Sequence, residues 1–184
     1  GDWHGMLEVA PRTWYAGTPE PDRFHDNDAG HALLVEIAAP GAPARVEPIA
    51  TASHRWLTAA LDLTGLDAAE IAGTLAALVD RERHATLLRL RLRGAVSLAA
   101  RAVLERELER LAGALCWLDL DETDLVDEPD AADLAALTAE PATAATARRL
   151  GELARAAATP EEREAAGMAL RLLFVEARGL EGLG

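Results

Sequence analysis

The chain has 184 residues, half of them hydrophobic but only 4% aromatic, so leucine and alanine must fill whatever core it builds. Its 31 acidic residues outweigh 18 basic ones, all arginine, for a net charge of -13; bulk charge therefore repels phosphate, and any DNA contact needs a local arginine patch or a bound metal. A single cysteine, Cys116, excludes an internal disulfide and a cysteine zinc cage, and no apolar run reaches the roughly 18 residues of a membrane span, so a cytoplasmic, non-membrane protein is expected.

Residues 1–52 are rich in proline and glycine and read as strands joined by loops. Thr13 to Tyr15 is a short β-prone run, stopped by Gly17-Thr18-Pro19-Glu20-Pro21. His31 to Ile37 is apolar on both faces, which predicts a buried strand with His31 as a core residue. Pro40 to Pro43 is a turn, and Arg45 to Ala50 is expected to return antiparallel. These elements are too few to close a core of their own.

Residues 53–128 are cleanly periodic. Leu57, Ala59, Leu61 and Leu63 share one face of a strand. Asp67 and Glu70 form a capping-box pattern ahead of a helix whose stripe is Ile71, Leu75, Leu78 and Val79. Leu88, Leu90 and Leu92 alternate with Arg89, Arg91 and Arg93 in a second strand, ended by Gly94. Ser97 caps a second helix with Leu104, Leu108, Leu111 and Leu115 inward, and Trp117 to Asp121 is a third strand with Leu118 and Leu120 inward. The order is β-α-β-α-β, a small sheet with helices on one face, in an α+β chain. The acidic run after it, from Asp119 to Glu128, lacks the spacing of a calcium loop and reads as a solvated linker.

Residues 129–184 are helical. Pro141 starts one helix, and Thr159-Pro160-Glu161-Glu162 starts another that ends at Gly179. The last helix carries Met168, Leu172, Phe174 and Val175, more apolar surface than a lone helix needs. It either packs back on the preceding domain or docks a partner.

The chemistry-bearing stretch is Gly1-Asp2-Trp3-His4-Gly5. Asp2 and His4, two apart in extended chain, project to one side and suit a divalent ion with mixed oxygen and nitrogen ligation. The same pair also occurs in ordinary polar turns. Further on come Trp14-Tyr15-Ala16-Gly17-Thr18-Pro19, then Phe24, then Gly30-His31-Ala32-Leu33-Leu34-Val35-Glu36-Ile37. In order and spacing this set resembles the C-terminal part of the SbcD-type DNA repair exonucleases, within the calcineurin-like metallophosphoesterases. There a Gly-His-x-His motif supplies ligands to a two-metal site, and the later segments are Tyr-Pro-Gly-Ser and a Leu-Val-Glu-Ile strand. Asp2 stands where the first histidine of the motif stands, and Tyr15-Ala16-Gly17-Thr18 replaces Tyr-Pro-Gly-Ser.

The resemblance implies that residues 1–52 are the end of a phosphoesterase β-sandwich, 53–128 a capping domain over the active site, and 129–184 a helical segment. It implies Mn²⁺ in a two-metal site of the intact enzyme, with Asp2 and His4 among the ligands and no catalytic residue in this stretch. It implies two partners, DNA and an SbcC-type coiled-coil ATPase, the latter met through Met168, Leu172, Phe174 and Val175; a homodimer is a further option. On this reading the chain is a C-terminal fragment that opens at the last metal motif and is inactive alone.

Arg89, Arg91 and Arg93 would contact DNA phosphate from the capping sheet, or they form a solvated strand face balanced by Asp62 and Asp119. His25, His54 and His84 show no metal spacing; His25 with Asp26 and Asp28 reads as an acidic turn. Two other functions stay open: an acidic protein-interaction module, and part of a calcineurin-like phosphatase acting on a small phosphoester.

Overall fold

A computed structural model describes residues 3–137 and 141–181. The chain is mixed α and β, with seven strands and five helices among the described residues. Two antiparallel pairs come first: β1 (Leu7–Ala10) with β2 (Thr13–Tyr15), and β3 (His31–Glu36) with β4 (Arg45–Ala50). In the second pair His31 faces Ala50 and Glu36 faces Arg45. The sequence showed no signal for β1, whose four residues are all exposed.

The strand expected to be buried is not. In β3 only His31 and Leu33 are half-buried; Leu34 and Val35 are exposed, as are Ile37 and, in β4, Ile49. In this two-stranded ribbon the face of Ala32, Leu34 and Glu36 lies open, and the opposite one is partly covered only at His31 and Leu33. Such a ribbon is marginal alone in water, so its apolar residues are suited to a further layer.

The periodic region gives β5 (Arg55–Asp62), α1 (Ala68–Leu78), a single 3₁₀ turn (Arg83–Ala85), β6 (Thr86–Val96), α2 (Leu98–Ala114) and β7 (Trp117–Asp127). The sheet order is β5-β6-β7. Arg89 pairs with Asp119 and Arg91 with Asp121; the two partners advance together along the chain, as in a parallel pair. β6 alternates as its sequence requires: Thr86, Leu88, Leu90 and Leu92 are buried, while Arg89, Arg91 and Arg93 are exposed.

Two boundaries differ from the reading above. Gly94 does not end β6 but lies inside it, at φ +107°, where a Cβ would sit 2.8 Å from the backbone nitrogen of Thr64. Glycine there lets the chain after β5 lie against β6. β7 continues through most of the acidic run, which is therefore not a linker. Four of its carboxylates meet arginines: Asp119 and Asp121 with Arg89 and Arg91 of β6, Glu122 with Arg101, and Asp127 with Arg171. Leu120, expected inward, is 36% exposed on this edge strand, and Trp117 is 60% exposed.

Contacts divide the chain into two compact units. The first comprises residues 1–60, 79–91 and 112–121. It holds β1 to β4 and the opening parts of β5, β6 and β7.

The second comprises 61–78, 92–111 and 122–184. It holds α1, most of α2, α3 (Ala131–Leu137), α4 (Pro141–Ala156) and α5 (Pro160–Glu181). Its helix starts follow the sequence signals. Asp67 Oδ1 accepts from Ala69 and Glu70 N–H at 2.8 Å each, and Glu70 returns a bond to Asp67 N–H. Thr159 and Glu162 exchange the same pair of bonds ahead of α5. Ser97 caps α2 through Ala100 N–H. A second cap on α2 had no local signal: the buried carboxylate of Asp133, in α3, accepts from Leu98 N–H at 2.7 Å and Ala99 N–H at 3.1 Å. Leu98, Leu137, Ala147, Leu170 and Phe174 close one apolar cluster around that cap. α5 ends two residues beyond Gly179, at Glu181.

Candidate metal-ligand site

Asp2 lies outside the described residues, so the site is built from His4 outward. His4 sits in the loop before β1. Its carbonyl accepts from Thr18 N–H at 2.8 Å, and Met6 N–H donates to Asp28 carbonyl at 3.0 Å, so the loop from 17 to 28 folds against this stretch. Gly5 is buried, and a Cβ there would overlap the carbonyl of Asn27. This is why glycine follows His4: the backbone of the facing loop passes where a side chain would be.

The imidazole of His4 is oriented by Asp22, whose Oδ2 lies 2.5 Å from Nδ1. Arg23 approaches the same nitrogen at 3.2 Å and also holds Asp22, with Nε 3.1 Å from Oδ1. An ionised carboxylate only accepts, so the shorter contact calls for a hydrogen on Nδ1; the approach of Arg23, itself only a donor, is then no hydrogen bond to that nitrogen, and the neutral ring keeps its Nε2 lone pair for a ligand. Asp22 is held ionised: chiefly the hydrogen bond from Arg23 keeps its carboxyl below the usual aspartate range, against an opposing desolvation, with a lesser contribution from the His4 bond. Carboxylate, imidazole Nδ1–H and a free Nε2 form the arrangement in which histidine binds metals.

His4 thus fits the role of one ligand. Among the described residues, no group of three His, Cys, Asp or Glu side chains could hold a metal ion.

Asp22 is the residue that sequence reasoning missed. It lies 18 positions from His4, and only the adjacency of Asp22 and Arg23 after Pro21 hinted at a fixed carboxylate. The other histidines stay apart from it. His31 lies 3.8 Å from Asp28, and its Nδ1 is buried without a hydrogen bond. His54 sits beside Ser53, which donates through both backbone and hydroxyl to Glu20. Those bonds, the hydroxyl's first, hold the Glu20 carboxyl below its usual range. Thr51 donates to the Pro19 carbonyl at 2.7 Å and completes this clasp.

Arg89, Arg91 and Arg93 form a ladder of ion pairs, with Asp119 at 2.7 Å, Asp121 at 3.0 Å and Asp62 at 3.2 Å. All six side chains are substantially exposed. A cleft of about 330 Å³ runs along this face, lined by Thr58, Ala60, Arg89, Arg91, Asp119 and Asp121. It is charge-neutral in its lining, so it has no excess positive potential to offer phosphate.

On α5, the four residues expected to meet a partner do not share one face. Phe174 is 4% exposed inside the apolar cluster, whereas Met168, Leu172 and Val175 are 49 to 61% exposed. One side of this helix packs back, and another carries an uncovered stripe at i, i+4 and i+7.

The geometry defines a mixed α+β chain with one oriented histidine at the edge of two short antiparallel ribbons. No family model, no curated protein and no solved structure matches it. No helix among the described residues is long and apolar enough to cross a membrane.

Proposed function

We propose that the chain is the C-terminal part of a cytoplasmic, metal-dependent DNA exonuclease of the SbcD type, with its capping region. The single observation that carries this reading is the His4–Asp22 pair, which presents one ring nitrogen and braces the other. In the intact enzyme, Asp2 and His4 are two ligands of a Mn²⁺ pair, and such ions orient a water and stabilise the phosphodiester oxygens. The exposed apolar residues of β3 and β4 agree with a ribbon that completes a larger sandwich.

The β5-β6-β7 sheet and its helices are the cap that positions DNA. Arg89, Arg91 and Arg93 contribute phosphate contacts only by exchanging Asp119, Asp121 and Asp62 for phosphate, so the cap guides DNA more by shape than by charge. The stripe of Met168, Leu172 and Val175 supports docking of a coiled-coil ATPase partner.

The test is the coding frame upstream of Gly1. It is expected to encode Asp-x-His, Gly-Asp-x-x-Asp and Gly-Asn-His-Asp or -Glu motifs, and an adjacent frame a coiled-coil ATPase. Absence of all of them overturns the proposal. The second reading is then the stronger: an acidic interaction module, favoured by the uncovered α5 stripe on a chain of charge -13.

A further inference from the structure

Asp22 lies between two anchors on the loop from Pro19 to Asn27. One is the clasp at Glu20, described above. The other is Phe24, two residues after Asp22. Its ring meets the indole of Trp56, on β5, edge to face, with centroids 4.8 Å apart at 66°. The guanidinium of Arg89, on the neighbouring strand β6, lies 4.3 Å above the same ring. Arg89 is itself fixed by Asp119 at 2.7 Å. Each contact is individually small, but together they hold one aromatic ring between two neighbouring strands of a regular sheet.

The consequence falls on His4. The bond from Nδ1 to Asp22 is what leaves Nε2 free, and it exists only while the Asp22 carboxylate stays in place. We propose that Phe24, clamped between Trp56 and Arg89, is the positioning residue that holds Asp22 against His4 and so sets which ring nitrogen of His4 is presented. Phe24 touches no ligand; it acts through Asp22. The sheet that the charge ladder decorates thereby becomes the reference frame for the site. The proposal deepens the reading of His4 as a metal ligand and rests on it for its importance, but not for its test.

The test uses the metal-free 184-residue chain and reads the tautomer of His4 from ring ¹⁵N shifts in long-range ¹H–¹⁵N spectra. The His4 signals are assigned with His4→Gln. Spectra are taken at rising alkaline pH until the ring shifts no longer change, so that the neutral ring is observed. The wild-type chain is expected to show His4 as the Nδ1–H tautomer. Phe24→Ala is expected to lose that signature and revert to the Nε2–H tautomer that a free side chain prefers. Phe24→Tyr, which keeps the ring, is expected to restore it. A structural filler would change stability without changing the tautomer.

Nδ1–H in Phe24→Ala, or Nε2–H in the wild type, overturns the proposal. If the alanine variant fails to fold, Phe24→Leu decides: partial loss of the Nδ1–H signature supports the proposal, and an unchanged signature overturns it. An Nδ1–H signature retained in Phe24→Ala leaves the metal-ligand reading standing, with Asp22 held by Arg23 alone, whereas Nε2–H in the wild type overturns the presented Nε2 as well. Failure of the nuclease reading leaves a measured tautomer unexplained by metal chemistry but still set by Phe24.

Discussion

Replacing Phe174 with alanine separates the two sides of α5. The phenyl ring is 4% exposed and closes the cluster of Leu98, Leu137, Ala147 and Leu170. Truncation removes its transfer free energy and leaves a cavity, together about 3–5 kcal/mol for a buried phenylalanine. Leu172, two residues away on another side of the helix and 61% exposed, leaves no cavity, so Leu172→Ser costs about 0.5 kcal/mol or less. The assay is urea denaturation followed by far-ultraviolet circular dichroism, whose helical signal comes largely from α1, α2 and the three C-terminal helices. The midpoint is expected to fall strongly for Phe174→Ala and barely for Leu172→Ser, with unchanged slopes. A loss below about 1 kcal/mol for Phe174→Ala, or equal losses for the two, would refute the assignment of Phe174 to the core.

Asp133→Ala removes a buried acceptor from Leu98 and Ala99 N–H, so it is expected to cost about 2–4 kcal/mol in the same denaturation, and a loss within error of zero contradicts the cap. Arg91→Ala breaks one exposed pair and is expected to cost about 1 kcal/mol or less; a cost near 3 would mean the ladder is far better desolvated than its exposure indicates. The Glu20 clasp is acid-labile. Its folded pKa is lowered by the Ser53 bonds, so its contribution is fully present above the unfolded value and is lost as pH falls through the folded one. The Ser53 amide resonance is expected to titrate with a midpoint below about 4.3, the ordinary glutamate value, and a midpoint at or above it refutes the clasp. Amide exchange of the isolated chain is expected to be fast across β3 and β4, since these strands leave their apolar residues uncovered; uniformly strong protection there in a monomer would contradict this.

The parts of the fold legible in the sequence are those specified locally. Period-two alternation of leucine with arginine defined β6, because the two faces differ maximally in polarity. Capping boxes at Asp67 and Thr159 marked helix starts within four residues. What was not legible depends on partners far along the chain. The cap from Asp133 to α2 spans 35 positions. The acidic run looked like a linker because its neutralising arginines, Arg101 and Arg171, lie on helices. α5 carries apolar residues around most of its circumference, so periodicity alone did not tell Phe174 from Leu172.

The candidate site was half legible. His4 stood out by residue type and spacing, whereas Asp22, 18 positions on, is joined to it only by the folded loop. Phe24 came to notice in the sequence as an element of the resemblance, and only the structure gives it contacts with Trp56 and Arg89.

The most direct measurement is Mn²⁺-dependent degradation of linear DNA by the protein expressed from the complete reading frame, with wild type beside His4→Ala. The account predicts activity that chelation abolishes and that His4→Ala reduces by at least about 100-fold, as expected for loss of a metal ligand oriented by its carboxylate. Folded, Mn²⁺-loaded wild type that degrades no DNA end, or a His4→Ala variant as active as the wild type, would contradict it.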